Sequence, residues 1–148
     1  MQEESSVTGV LYAIAEAMDA ADYPTLGELL AHTRLVDGRS GSVLAEGGPA
    51  AVAHFQSIVK IHPDGTWRTR HVTTNPQVRI CDDHAEVRSL YTVFQQTERL
   101  PLQAIIVGRY DDTLQRIGDR WFLTERRYFA DLIGDLSDHL TISLREVP

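Results

Sequence analysis

The chain has 148 residues, 43% of them apolar and 24% charged, and a formal net charge of −7. That length suits one domain with one enclosed core, expected over residues 1–148. The acidic balance lacks the basic stripe that neutralises nucleic-acid phosphates, and no apolar run reaches the roughly 18 residues of a membrane span. Met1-Gln2-Glu3-Glu4 is acidic rather than basic and no signal-like apolar run follows it, so the expected compartment is the cytoplasm. Cys81 is the only cysteine, so it has no partner for an internal disulfide, and it reads as a buried filler in a strand rather than a nucleophile.

From Ser5 to Met18 the apolar residues Val7, Val10, Leu11, Ile14, Ala15 and Met18 recur at the helical period, with Ser5 or Ser6 available as a cap. Asp19 follows, at the margin of that stripe. A carboxylate at a helix C-terminus opposes the helix dipole, which argues for a specific partner. Asp22 before Tyr23-Pro24 predicts a second, short helix with Leu26, Leu29 and Leu30 inside. Residues 34–45 read as a loop with one or two short strands. Gly47-Gly48-Pro49 opens a third helix carrying Val52, Phe55, Ile58 and Val59.

After Asp64-Gly65 the pattern changes to long strands over 72–80, 85–97, 100–117 and 120–132, rich in Val, Ile, Tyr, Phe and Thr. Their joints, Asp82-Asp83, Glu98-Arg99 and Gly118-Asp119, are short, so neighbours should run antiparallel. Helices first and an antiparallel meander afterwards make an α+β fold: a strongly curved sheet, about three N-terminal helices across its concave side, and a pocket between them. Asn75 before Pro76 should shape a bulge. Asp111 and Asp112 point to opposite faces and cannot share a proton. His54 and His62 have no metal-ligand spacing, and His139 reads as packing at the C-terminus or an interface. The late strands carry apolar residues on both faces (Leu102, Ile105, Ile106, Val107, Leu123, Phe129, Leu132), so the face away from the helices should meet a second copy of the chain. Thr141-Ile142-Ser143-Leu144 alternates and could add a strand or cross to a neighbour.

This order of elements resembles the NTF2-like cone fold. Arg70-His71-Val72-Thr73-Thr74-Asn75, Gly108-Arg109-Tyr110-Asp111-Asp112, Trp121 with Glu125-Arg126-Arg127, and Asp131 to Leu140 are similar to the SnoaL-like branch of that superfamily. Polyketide cyclases, scytalone dehydratase, bile-acid 7α-dehydratases and a dehydrochlorinase belong to that branch. The resemblance implies a lyase or isomerase that needs no metal or organic cofactor and acts on a small hydrophobic molecule such as a polyketide or steroid. It also implies a homotrimer or homodimer, with the trimer preferred. By the same resemblance His71 is the general base and Asp19 the carboxylate that orients it, and Arg126 faces the pocket to bind polar groups; read from the strand alone, Arg126 could equally form a cross-strand ion pair near Glu86, Arg88 or Asp112. The family's acid, a Tyr or Lys five residues before the aspartate, is replaced here by Ile14. Tyr12, two helical turns before Asp19, is the candidate substitute, and Tyr91 and Tyr110 are candidates to line the cavity. The rival reading is a non-catalytic ligand-binding or structural subunit, like the small subunits of ring-hydroxylating dioxygenases, and Ile14 is the residue that favours it. An open cavity holding a bonded His71–Asp19 couple would favour the enzyme; a filled cavity would favour the rival.

Overall fold

The computed structural model describes residues 2–144. Helix α1 (Gln2–Asp19) starts earlier than its serines suggested: Ser6 and Thr8 bond carbonyls one turn back, Gln2 and Glu4, and cap nothing. Its buried stripe is Val7, Leu11, Ile14, Ala17 and Met18. Helix α2 (Tyr23–Leu29) is capped by Asp22, whose carboxylate accepts from the Thr25 N–H at 3.2 Å. Helix α3 (Gly48–Ile58) crosses it so closely that a Cβ on Gly48 would lie 2.1 Å from the Gly27 carbonyl oxygen; only glycine admits that approach.

Residues 34–46 form two short strands, β1 (Arg34–Asp37) and β2 (Val43–Glu46). The long strands are β3 (Thr69–Cys81), β4 (His84–Gln95), β5 (Gln103–Ile117) and β6 (Arg120–Ile133). Together they make a six-stranded, curved, unclosed sheet in the order β2-β1-β6-β5-β4-β3. All neighbours are antiparallel except β1 and β6, which run parallel. The Asp82-Asp83 and Gly118-Asp119 joints are tight turns, as expected, but Cys81, the last residue of β3 before the first of them, is exposed rather than buried. The Glu98-Arg99 joint is not: residues 96–102 form a longer loop, because Leu100 turns inward to cover core side chains instead of starting a strand. Asn75, at φ 52°, sits in the register break between Thr74 and Gln77 and bends β3 there.

The concave face carries two groups of packed side chains. The larger lies beneath the helices and includes Leu11, Ile14, Phe55, Trp67 and Leu114; the smaller comprises Tyr91, Val93, Leu100, Ile105, Ile106 and Tyr110. Residues 141–144 add no strand. After an isolated bridge from Leu140 to Val59, Leu144 packs against the smaller of these groups.

Candidate active site

The two core groups do not close on each other, and the gap is a cavity of about 220 Å³. Met18, Phe55 and Trp67 line it from one side, and Val93, Ile106 and the tyrosines from the other. His71 is part of the wall. β3 is the edge strand, so alternate N–H groups along it have no neighbouring strand to bond. The end of α1 covers that edge. Asp19 accepts the backbone N–H of His71 at 3.0 and 3.1 Å, the Thr69 hydroxyl at 2.9 Å and His71 Nδ1 at 2.6 Å. A carboxylate ill placed against the helix dipole is thus held by three donors from β3. The side chains are 11% exposed for Asp19 and 5% for His71. With Nδ1–H donated to a carboxylate, the lone pair resides on Nε2, which has no partner among the described residues.

Tyr91, Tyr110 and Tyr128 form a row across β4, β5 and β6 in the cavity wall. Tyr91 stacks on Tyr110 with centroids 4.3 Å apart, and Tyr128 meets Tyr110 edge-on at 5.7 Å. Gly108 permits the stack: a Cβ there would lie 2.7 Å from the Tyr91 ring and 2.0 Å from the Phe129 carbonyl oxygen. Burial holds all three phenols neutral, raising Tyr91 and Tyr128 well above the usual tyrosine range and Tyr110 to about 12. Arg126 opposes that rise at each of them.

Two sequence-predicted residues take other places. Arg126 is on the concave face but behind the tyrosines, not in the cavity wall: both its Nε and Nη2 bond Asp112, at 2.8 and 2.9 Å, and its Cζ lies 3.7 Å from the Tyr110 ring centre. Its charge is spent on Asp112, so it is not available for a ligand. Desolvation works against the guanidinium, but the carboxylate beside it outweighs that and holds Arg126 above its ordinary range. Burial pushes the Asp112 carboxyl up, and Arg126 pulls against it. Tyr12 is 43% exposed and does not line the cavity. It lies on the azimuth of Asp19, but seven residues are about 10 Å of helix, too far to serve the same site. Ile14 is sealed within the larger core and does not line the cavity, and its aliphatic side chain can neither donate nor accept a proton.

Several wall residues carried no clear signal in the sequence. Tyr128 shares a face with Arg126 by strand alternation. Trp67 precedes β3, and its indole N–H donates to the Tyr23 hydroxyl at 3.1 Å. His54 lines the cavity from α3, where burial lowers its pKa. His139 packs near the C-terminal end, the first of its two readings, and there it is buried in the cavity wall.

A curved open sheet, helices over its concave face, and an imidazole–carboxylate couple opening onto an aromatic cavity define an NTF2-like cone with an internal cavity. The chain belongs to the SnoaL-like domain family, whose model matches residues 1–127. Its fold is similar to that of a variant of Rv3472 from Mycobacterium tuberculosis, a protein of unknown function (20% identity, TM-score 0.72, covering 99% of this chain and 80% of that one). A protein of unknown function with a cystatin-like fold from Nostoc punctiforme is similar too, at 18% identity and TM-score 0.71, with 90% and 94% of the two chains covered. A candidate scytalone dehydratase from Novosphingobium aromaticivorans matches at 17% identity and TM-score 0.68, covering 88% and 85%. No curated protein matches the chain.

Proposed function

We propose that the protein is a cofactor-independent lyase or isomerase of the dehydratase or cyclase type, acting on a small, largely apolar cyclic molecule. The family and the likeness to a candidate scytalone dehydratase support a dehydratase or cyclase role. The observation that carries the mechanism is the 2.6 Å contact between His71 Nδ1 and Asp19 in the wall of an open cavity. In a dehydration, His71 Nε2 takes the proton from a carbon next to a carbonyl, and the C–H electron pair moves into an enolate. The enolate then forms the C=C bond as the C–O bond to the β-hydroxyl breaks. The imidazolium returns its proton to the departing oxygen, so water leaves and His71 is neutral again. Asp19 fixes the tautomer and stabilises the imidazolium. Aromatic walls exclude water and hold the ring of the substrate.

A panel of cyclic β-hydroxyketones, followed by the absorbance of the conjugated product, tests this reading. Turnover should fall by about 10²–10⁴ in His71→Ala with the fold retained. Turnover unchanged by that substitution would remove His71 from the reaction, and binding without any turnover would favour the non-catalytic subunit.

The convex face exposes Val72 on β3, Leu90 and Phe94 on β4 and Leu132 on β6, which supports a homo-oligomer built on that face, preferably a trimer. Light scattering should give a multiple of the chain mass, and Leu90→Glu should reduce it to the monomer.

A further inference from the structure

The cavity holds a second imidazole that the mechanism above leaves unused. His139 is 6% exposed and lines the cavity, yet its Nδ1 is sealed without a hydrogen-bond partner among the described residues. The backbone around it is firmly held. The His139 N–H donates to the Leu136 carbonyl at 3.0 Å, and its carbonyl accepts from the Lys60 N–H at 2.8 Å. The Asp138 carboxylate takes the Thr97 hydroxyl at 2.6 Å and Arg99 Nη2 at 2.7 Å, while its carbonyl takes Gln95 Nε2 at 3.2 Å. Leu140 pairs with Val59, and the Thr141 N–H reaches the Ile58 carbonyl at 2.8 Å. All these anchors fix the position of a side chain whose own buried nitrogen is left unsatisfied. The ring centre lies 6.4 Å from that of His71 and 6.0 Å from that of Trp67.

A neutral imidazole has one N–H and one lone pair. Sealing an N–H without an acceptor is the rarer and costlier choice, so the sealed Nδ1 carries the lone pair and Nε2 carries the proton. Burial, followed by the charges of His71 and His62, pushes the His139 pKa down to about 3, with Asp19 opposing. The ring therefore stays uncharged near neutral pH. A neutral imidazole N–H in a pocket is a workable donor to a carbonyl on which negative charge develops.

We propose that His139 is a second catalytic residue of this cavity, donating one hydrogen bond from Nε2–H to an oxygen of the ligand whose neighbouring proton His71 removes. The proposal rests on the acid–base reading of the cavity and narrows it: the ligand must present an acceptor oxygen, of the carbonyl kind, beside the reacting carbon. When the C–H bond breaks and the proton passes to His71, the electron pair is delocalised onto that oxygen, where the His139 hydrogen bond becomes stronger. His139 keeps its proton throughout.

Two probes of the same shape test it, 1-indanone with a carbonyl and indane without one. Binding is read from the quenching of Trp67 fluorescence, and the histidine tautomers from ¹⁵N NMR. The wild type should prefer indanone about tenfold, a hydrogen bond's worth, and the His139 Nε2–H resonance should move on adding indanone but not indane. His139→Phe should bind both probes alike, and His139→Gln should restore part of the preference. Equal affinities in the wild type, or a preference that survives in His139→Phe, would overturn the proposal while leaving the His71–Asp19 mechanism standing. A proton found on Nδ1 in the unliganded protein would overturn it without recourse to any variant. Failure of both probes to bind, together with turnover indifferent to His71→Ala, would take down the acid–base reading and this inference with it.

Discussion

The concave face contains two buried pairs of a carboxylate and a nitrogen base, and they differ in what they leave free. In Asp112–Arg126 both carboxylate oxygens meet guanidinium nitrogens, and the side chains are 0% and 3% exposed. No reactive atom remains. In Asp19–His71 the carboxylate binds one ring nitrogen and leaves the other at a cavity wall. Burial and a short contact are common to both, so neither marks a catalytic pair. The proposed mechanism rests on the free lone pair instead.

Asp19→Asn should break the comparison with the largest effect. A carboxamide still accepts from Thr69 or from the His71 N–H, but its NH₂ donates to Nδ1 and drives the ring proton to Nε2, the wrong tautomer for a base. Turnover on the dehydration panel should fall by about 10²–10⁴, with a much smaller change in the urea midpoint. Arg126→Met should do the reverse. It strands the Asp112 carboxylate in the core, at a cost of about 3–5 kcal/mol in urea unfolding. Arg126→Met with Asp112→Leu should recover most of that, since an apolar pair has no charge to leave unpaired. If Arg126→Met instead removed turnover and left stability alone, the two pairs would have been assigned the wrong way round.

The same contrast shows what the sequence could and could not disclose. Strand alternation set Arg126 and Arg127 on opposite faces, and the family resemblance turned Arg126 toward the pocket. The alternative, a cross-strand ion pair with Asp112 among the candidate partners, is the one the structure shows, in a register set beside an irregularity between Thr113 and Leu114. Helical periodicity put Tyr12 on the side of Asp19 but carried no weight against distance along the axis. The couple of His71 and Asp19 was legible through family resemblance, and the structure supplies its physical basis: an edge strand whose free N–H needs an acceptor. The meander and its two tight turns followed from turn pairs and β-branched runs. The parallel pairing of β1 with β6 did not, since it joins segments with no local pattern in common. His139 had no periodic signal at all. Its place is set by side chains that grip Asp138, from residues distant in the chain.

His139 allows the finest test, because it is a titratable group beside the Asp19–His71 couple with no counter-ion of its own. Its folded pKa, about 3, lies below the ordinary 6.5. Between those values the unfolded chain binds a proton that the native ring refuses, so stability rises with pH across that window and is flat above it. On acidification from 6.5 the wild type should lose up to about 1.4 kcal/mol per pH unit from this one group, before partial protonation and screening reduce it. His139→Leu removes the group from both states. Its stability should therefore fall less steeply with acid than that of the wild type, with the two curves parallel above pH 7, as measured by urea unfolding at a series of pH values. His54, whose pKa is lowered by burial as well, titrates in both proteins and drops out of the difference. Curves that stay parallel down to pH 4 would mean that the native ring takes up its proton as readily as the unfolded one. His139 would then be a cation at low pH beside His71, and the contrast between a neutral imidazole site and a charged structural pair would have to be drawn elsewhere in the molecule.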